Sequence, residues 1–382
     1  MVVAACKQLY NPPSISSPGS YLVVEGVINT GTDSTVIKLS YTVKLTSKVS
    51  LTPAQHAQVV VQSDQNTSYP LIESSSGRYV SASLNLDNSH KYRLSIKTTN
   101  NEQYYSDYVP VLNSPPMDSV YYQITNSGIN IKSTTHDPTN AVQYYRWDYQ
   151  ETWIIHADYN SQYASNGDTV LARAKSNEIY TCWQSETSSS IVLNSTANLK
   201  QAVLTDNPIT ALTPSSEKLG VRYSILVTQY ALTAEAYSFW TNLKKNTEQL
   251  GSIFDAQPSQ INGNIHSASN PAEPVLGYIS AGAVSSQRIF LDKQQLPTWQ
   301  PTTPYGECEL DTFLYRYLSP GSKVPINQVN QNINYKKGGG GVIPVSAVTT
   351  PFGTIIGFTG STSSCTDCTL RGSNKQPAFW TW

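Results

Sequence analysis

Thr35-Val36-Ile37-Lys38-Leu39-Ser40-Tyr41-Thr42-Val43-Lys44-Leu45 decides the class of the fold. Ile37, Leu39, Tyr41 and Val43 alternate with Val36, Lys38, Ser40 and Thr42. A period of two puts one set on each face of a strand and predicts a half-buried β-strand. Upstream, Tyr21 to Asn29 reads as a partner strand, stopped by Thr30-Gly31. Downstream, the runs 57–62, 68–73, 77–80, 91–96 and 104–109 are separated by polar turns. Short strands at this spacing predict a β-sandwich over residues 21–112.

Asn113-Ser114-Pro115-Pro116-Met117-Asp118 is stiff and polar, and the domain boundary is placed there. Beyond it, 119–124 and 128–133 read as strands. Residues 144–155 form a long alternating run in which Tyr145, Trp147, Tyr149, Glu151, Trp153 and Ile155 share one face. Residues 113–382 far exceed one sandwich, which implies a large insertion at about 190–260. That insertion holds one clear helix. Thr233 caps it, Glu235 sits in its first turn, and Ala236, Tyr237, Trp240 and Leu243 mark a face; Lys244 and Lys245 close it. A second helix is expected at Asn194 to Leu204, capped by Asn194 or Ser195, and a strand at 221–230. Lys336-Lys337 and the four glycines after them lack the spaced Gly-Lys-Ser/Thr of a phosphate loop.

Two partial resemblances sharpen the expected fold. The strings Ser76-Gly77-Arg78-Tyr79 and Tyr92-Arg93-Leu94-Ser95-Ile96 resemble immunoglobulin-like modules related to the carboxypeptidase regulatory domain. The opening of the second domain resembles a fibronectin III sandwich. The expected class is therefore mainly β. An N-terminal immunoglobulin/prealbumin-like β-sandwich is followed by a fibronectin III-like β-sandwich with a large helical insertion.

Composition narrows function. Charged residues are 13% of the chain, about half the usual share, and the net charge is -1. No basic stripe suggests nucleic acid as a partner. The 25 Tyr argue against disorder and, with two Met, suit an exported β-protein. No run of 18 apolar residues predicts a membrane-spanning helix. Val3-Ala4-Ala5-Cys6 looks like a bacterial lipobox, with Cys6 as the lipid-attachment residue and residues 1–20 as lipobox remnant and tether. Five residues are too few for a signal peptide. Cys182, Cys308, Cys365 and Cys368 are disulfide candidates with three possible complete pairings, of which Cys308 with Cys365 or Cys368 is preferred. Zinc ligation or a redox role for Cys365-Thr366-Asp367-Cys368 is the alternative.

Catalytic patterns are sparse. The five His are too far apart for a His-Glu-x-x-His helix, and neither a Gly-x-Ser-x-Gly elbow nor an EF-hand spacing occurs. No catalytic, cofactor or metal residue is assigned, and no enzyme activity is expected. The Trp and Tyr either stack against a sugar or peptide or fill the core.

Longer strings carry a whole-chain resemblance. Ser224-Ile225-Leu226-Val227-Thr228-Gln229-Tyr230 leads into Phe239-Trp240-Thr241-Asn242-Leu243, then Gly251-Ser252-Ile253-Phe254-Asp255 and Gly263-Asn264-Ile265-His266. Pro274-Val275-Leu276-Gly277-Tyr278 and Cys365-Thr366-Asp367-Cys368-Thr369-Leu370-Arg371-Gly372 follow. The sequence resembles the Bacteroidota domain of unknown function 4249 family. The resemblance implies an outer-membrane lipoprotein, held to the membrane by an N-terminal lipid. Because such proteins are often encoded beside TonB-dependent receptors, it also implies such a receptor as partner in nutrient uptake. It carries over no catalytic residue. Residues 7–24 lack the acidic residues that often follow the lipidated Cys in surface-exported members, so surface and periplasmic display both stay open. Trp240, Phe254 and His266, all within matched strings, are the candidate ligand-cleft residues. The alternatives are a free-standing glycan- or peptide-binding protein and a hydrolase hidden in the insertion.

Overall fold

The computed structural model describes residues 20–43, 52–248, 263–333 and 341–382. It is mainly β, built from several antiparallel sheets. Two compact units emerge. The first comprises residues 1–114 and 232–284, and the second 115–231 and 285–382. Residues 232–248, grouped in the sequence reading with an insertion of the second domain, thus cluster with the first unit. Cys6, Phe254 and the Lys336–Gly340 run lie outside the described residues.

The first unit contains β1 (Leu22–Val27), β2 (Thr35–Tyr41), β3 (Gln58–Ser63), β4 (Ser68–Ser75), β5 (Arg78–Ser81), β6 (Lys91–Lys97) and β7 (Gln103–Ser106). They run β1-β2-β5-β4-β3-β6-β7, and a late strand, Ile265–Ser267, extends the edge beyond β7. The expected alternation holds in β2, where Thr35, Ile37 and Leu39 are buried and Lys38 is exposed. Leu22, Val24, Ile37, Leu39, Val59, Val61, Tyr79, Leu94 and Ile96 meet in one core, so strands from the whole path share one interior. The segment 275–281 completes that core with Val275, Ile279 and Ala281. It lies against β1, with the Val24 N–H donating to the Leu276 carbonyl at 2.8 Å. The approach is too close for a side chain. A Cβ on Gly277, whose φ is +136°, would come within 2.1 Å of the Val24 carbonyl oxygen.

Helix α1 (Ala234–Glu248) starts as the sequence predicts: the Thr233 Oγ1 accepts from the Ala236 N–H at 3.2 Å. Its buried residues are Ala236 and Phe239, while Tyr237, Trp240 and Leu243 are only half-buried.

The second unit contains β8 (Met117–Thr125), β9 (Gly128–His136), β10 (Tyr144–His156), β11 (Thr181–Thr187), β12 (Val192–Ser195), β13 (Val203–Leu212), β14 (Arg222–Leu232) and β15 (Ser285–Asp292). Leu232, the last residue of β14, already clusters with the first unit. One sheet runs β8-β9-β13, and another β11-β10-β14-β15 with β12 also on β10. Gln229 links them: its Oε1 accepts from the Trp147 indole at 3.0 Å and its Nε2 donates to Thr135 Oγ1 at 3.1 Å. The Asn194 to Leu204 segment, expected as a helix, is instead β12, a turn and the start of β13. Its polar side chains turn the chain rather than cap a helix. Asn194 Nδ2 donates to Asn207 Oδ1 at 2.8 Å, and Ser195 Oγ accepts from the Ala197 N–H at 3.1 Å.

A third sheet, β16 (Asp311–Leu314), β17 (Ile343–Thr349) and β18 (Ile355–Ser361), has β18 in the middle. The C-terminal residues cover one face of the β10-containing sheet. Trp380 packs edge-on to Trp183 and Phe290, and Arg288 lies 3.6 Å from the Phe379 ring centroid. Disulfides Cys182–Cys368 and Cys308–Cys365 pin this tail.

Candidate functional site

In the first unit, a cleft of about 580 Å³ is lined by Asp107, Glu235, Ser238, Phe239, Asn242, Asn264 and Tyr278, with Ala234 and Gly263 at its backbone edges. Three segments distant in sequence build it. Glu235, Ser238, Phe239 and Asn242 stand at i, i+3, i+4 and i+7 of α1 and therefore share one helix face. The sheet edge supplies Asp107 and Asn264. Pairing of Ile265 with Ser106 and His266 with Tyr105 sets the register, and the Asp107 N–H donates to the Asn264 carbonyl at 2.8 Å.

The Asn264 side chain is buried and fixed. Nδ2 donates to the Ile279 carbonyl at 2.9 Å and Oδ1 accepts the Ile279 N–H at 2.8 Å. This pair of hydrogen bonds to Ile279 fixes the backbone next to Tyr278, which lines the cleft. Gly263 permits the crossing, since a Cβ there would lie 1.8 Å from the Gly277 carbonyl oxygen.

Aromatic rings form one wall. Phe239 lies 5.4 Å from Tyr278 at 40° and 5.4 Å from Trp240 edge-on. Carboxylates set the charge. The Glu235 carboxyl is held below its ordinary value by its own backbone N–H and by the Thr233 hydroxyl. Burial pushes the Tyr278 phenol up, and the charges of Glu235 and Asp107 push the same way against a Thr233 hydrogen bond. The phenol therefore stays protonated at neutral pH beside two carboxylates. Such a lining offers acceptors, the Asn242 amide and ring faces, which suits ligands rich in hydroxyl or N–H donors.

The residues singled out from sequence fall differently. Trp240 backs Phe239 and does not line the cleft. His266 does not line it either, but its Nε2 lies 3.2 Å from Asp107 Oδ1; both side chains are more than half exposed, so the pair is solvent-screened. Among the described residues, no hydrogen bond joins His266 to Ser238, and no cluster of three or more His, Cys, Asp or Glu is placed to hold a metal. The sequence marks Ala236, Tyr237, Trp240 and Leu243 as the helix face; Glu235, Ser238, Phe239 and Asn242 share a helical spacing too, but three of the four are polar, a composition that equally suits a solvated surface. Asp107 and Asn264 carried no signal, since only the sheet register brings them to the helix.

The chain is thus a mainly β protein of antiparallel sheets with a helix-walled polar cleft in its first unit. Residues 8–288 match the family described as a domain of unknown function, DUF4249, and the chain belongs to that family. No curated protein matches it.

Proposed function

We propose that this chain is a non-catalytic outer-membrane lipoprotein, acylated on Cys6, that serves as an accessory or ligand-binding component of a TonB-dependent nutrient-uptake system. The observation that carries the binding role is the cleft. The Asp107 and Glu235 carboxylates, the Asn242 amide and the Ser238 and Tyr278 hydroxyls line it beside the Phe239 and Tyr278 rings, on a sheet edge fixed by Asn264. Membership in the family and the Val3-Ala4-Ala5-Cys6 string support the membrane setting. The finer fold reading is that an immunoglobulin/prealbumin-like module forms the first unit and a fibronectin III-like module the start of the second. The antiparallel strand orders support it.

A free-standing glycan- or peptide-binding protein is the second reading, favoured by the ring faces in the cleft wall. Gentle-detergent purification from the native outer membrane, followed by mass spectrometry, separates the two. Stoichiometric recovery of a TonB-dependent receptor with acylated Cys6 is the expected result. Acylated chain recovered alone favours the second reading, and recovery from the soluble fraction without acyl chains overturns the membrane assignment.

A further inference from the structure

The end of the β16-β18-β17 sheet carries an apolar tip. Register brings two loops to that end. The β17–β18 turn at 350–354 is closed by the Thr350 N–H donating to the Thr354 carbonyl at 2.9 Å. Beyond β16, the Tyr315 N–H donates to the Ile356 carbonyl at 2.9 Å, and Tyr317 bridges Ile326, so the 318–325 loop leaves the sheet at the same end as the turn. Phe352 at the turn is 94% exposed, Val324 70% and Leu318 57%; Ile355, Ile356 and Ile326 are exposed as well. Apolar side chains exposed on two loops at one end of a sheet mark an interaction surface.

Charge identifies the occupant. Between Asp311 and Asp367 the sequence has no Asp or Glu, whereas Arg316 and Lys323 fall in the segment that builds the tip. Lys323 is exposed in the same loop as Leu318 and Val324, and Arg316 is exposed at its base, one residue before the Tyr317 bridge. The described cations Arg316 and Lys323 thus accompany protruding apolar side chains, in a chain whose net charge is only -1.

We propose that this tip docks on an anionic lipid surface. Phe352, Val324 and Leu318 enter the headgroup–acyl boundary, while Arg316 and Lys323 meet lipid phosphates. Tyr315 and Tyr317, half-buried at the base, have the amphipathic rings favoured at such a boundary. The shape favours a bilayer over a protein groove, because the apolar residues protrude on turns rather than line a concavity. The inference is independent of acylation at Cys6 and of a receptor.

The test is flotation of the full chain carrying Cys6→Ser, which cannot be acylated, with phosphatidylcholine vesicles with and without phosphatidylglycerol. The chain is expected to float with the anionic vesicles. Phe352→Ser should lower partitioning at least about tenfold, as loss of a buried Phe predicts. Arg316→Glu with Lys323→Glu should abolish the preference for phosphatidylglycerol. Thermal midpoints should not move, since these side chains are exposed; Val324→Ser serves in place of Phe352→Ser if that variant melts early. Failure of the parent to float, or flotation indifferent to Phe352 and Val324, overturns the proposal. Phe352-dependent self-association seen by sedimentation overturns it in favour of a second copy. None of these outcomes bears on receptor recovery from native membranes.

Discussion

Removing the Cys182–Cys368 bridge should unfold one half of the protein early and leave the other untouched. All four bridged cysteines belong to the second unit. The bridge spans 186 residues and encloses the Cys308–Cys365 bridge, which spans 57. Subtracting the inner loop leaves an effective loop of about 129 residues, for which the chain-entropy relation gives a ceiling of about 5 kcal/mol. Both half-cystines are fully buried, so Cys182→Ala with Cys368→Ala avoids stranding buried hydroxyls. Urea unfolding followed by Trp fluorescence reads the units separately. Trp240 is the one Trp in residues 1–114 and 232–284, and the other six fall in the second unit. A Trp240→Phe background therefore reports the second unit alone, and the parent adds the first. The second-unit transition should lose several kcal/mol, up to about 5. A loss below about 1 kcal/mol, or an equal shift of the Trp240 transition, would refute the reasoning.

Other expectations follow from single sites. Glu151 is 6% exposed and accepts from Lys218 Nζ at 2.6 Å and the Tyr223 hydroxyl at 2.7 Å, so Glu151→Ala should cost the second unit about 3 kcal/mol in denaturant melts. Burial depresses the His156 pKa below its usual 6.5 despite the opposing charge of Glu178. The unfolded chain then binds the proton first, so stability is full above about pH 6.5 and declines as pH falls toward the folded value. His156→Phe keeps the ring stacked on Tyr180 at 4.5 Å and should flatten that decline in thermal melts across the acid range. Thr233→Ala removes the α1 cap and should cost the first unit about 1 kcal/mol, read from the Trp240 transition.

What the sequence revealed tracks how local each signal is. The alternation at 35–41 and the cap at Thr233 are set by neighbours within one element, and β2 and α1 follow them. The strand expected at 144–155 forms as β10, but Arg146, Thr152 and Ile154 are buried as well, so both its faces are covered rather than one. The Asn-Ser-Thr string at 194–196 has the same residues as a helix cap. Pairing of Tyr144–Trp147 with Val192–Ser195 decided in favour of a strand, and that partner lies far away in sequence. The same holds for the grouping of 232–284. Val275, Ile279 and Ala281 are short apolar positions with no clear period, and their place in the first core comes from hydrogen bonds to Val24 and Ile28. The cleft repeats the lesson: Glu235 to Asn242 is a helical face, but Asp107 and Asn264 join it through a register that no local pattern encodes.

Titration of the purified chain with a panel of glycans and peptides, followed by Trp240 fluorescence and product analysis, tests the binding reading most directly. The account predicts a saturable change for one ligand class, at least about tenfold weaker in Tyr278→Ala, with the ligand recovered intact. Tyr278→Phe, which keeps the ring, should retain most of the affinity. Binding indifferent to Tyr278, or conversion of the ligand to product, would contradict it.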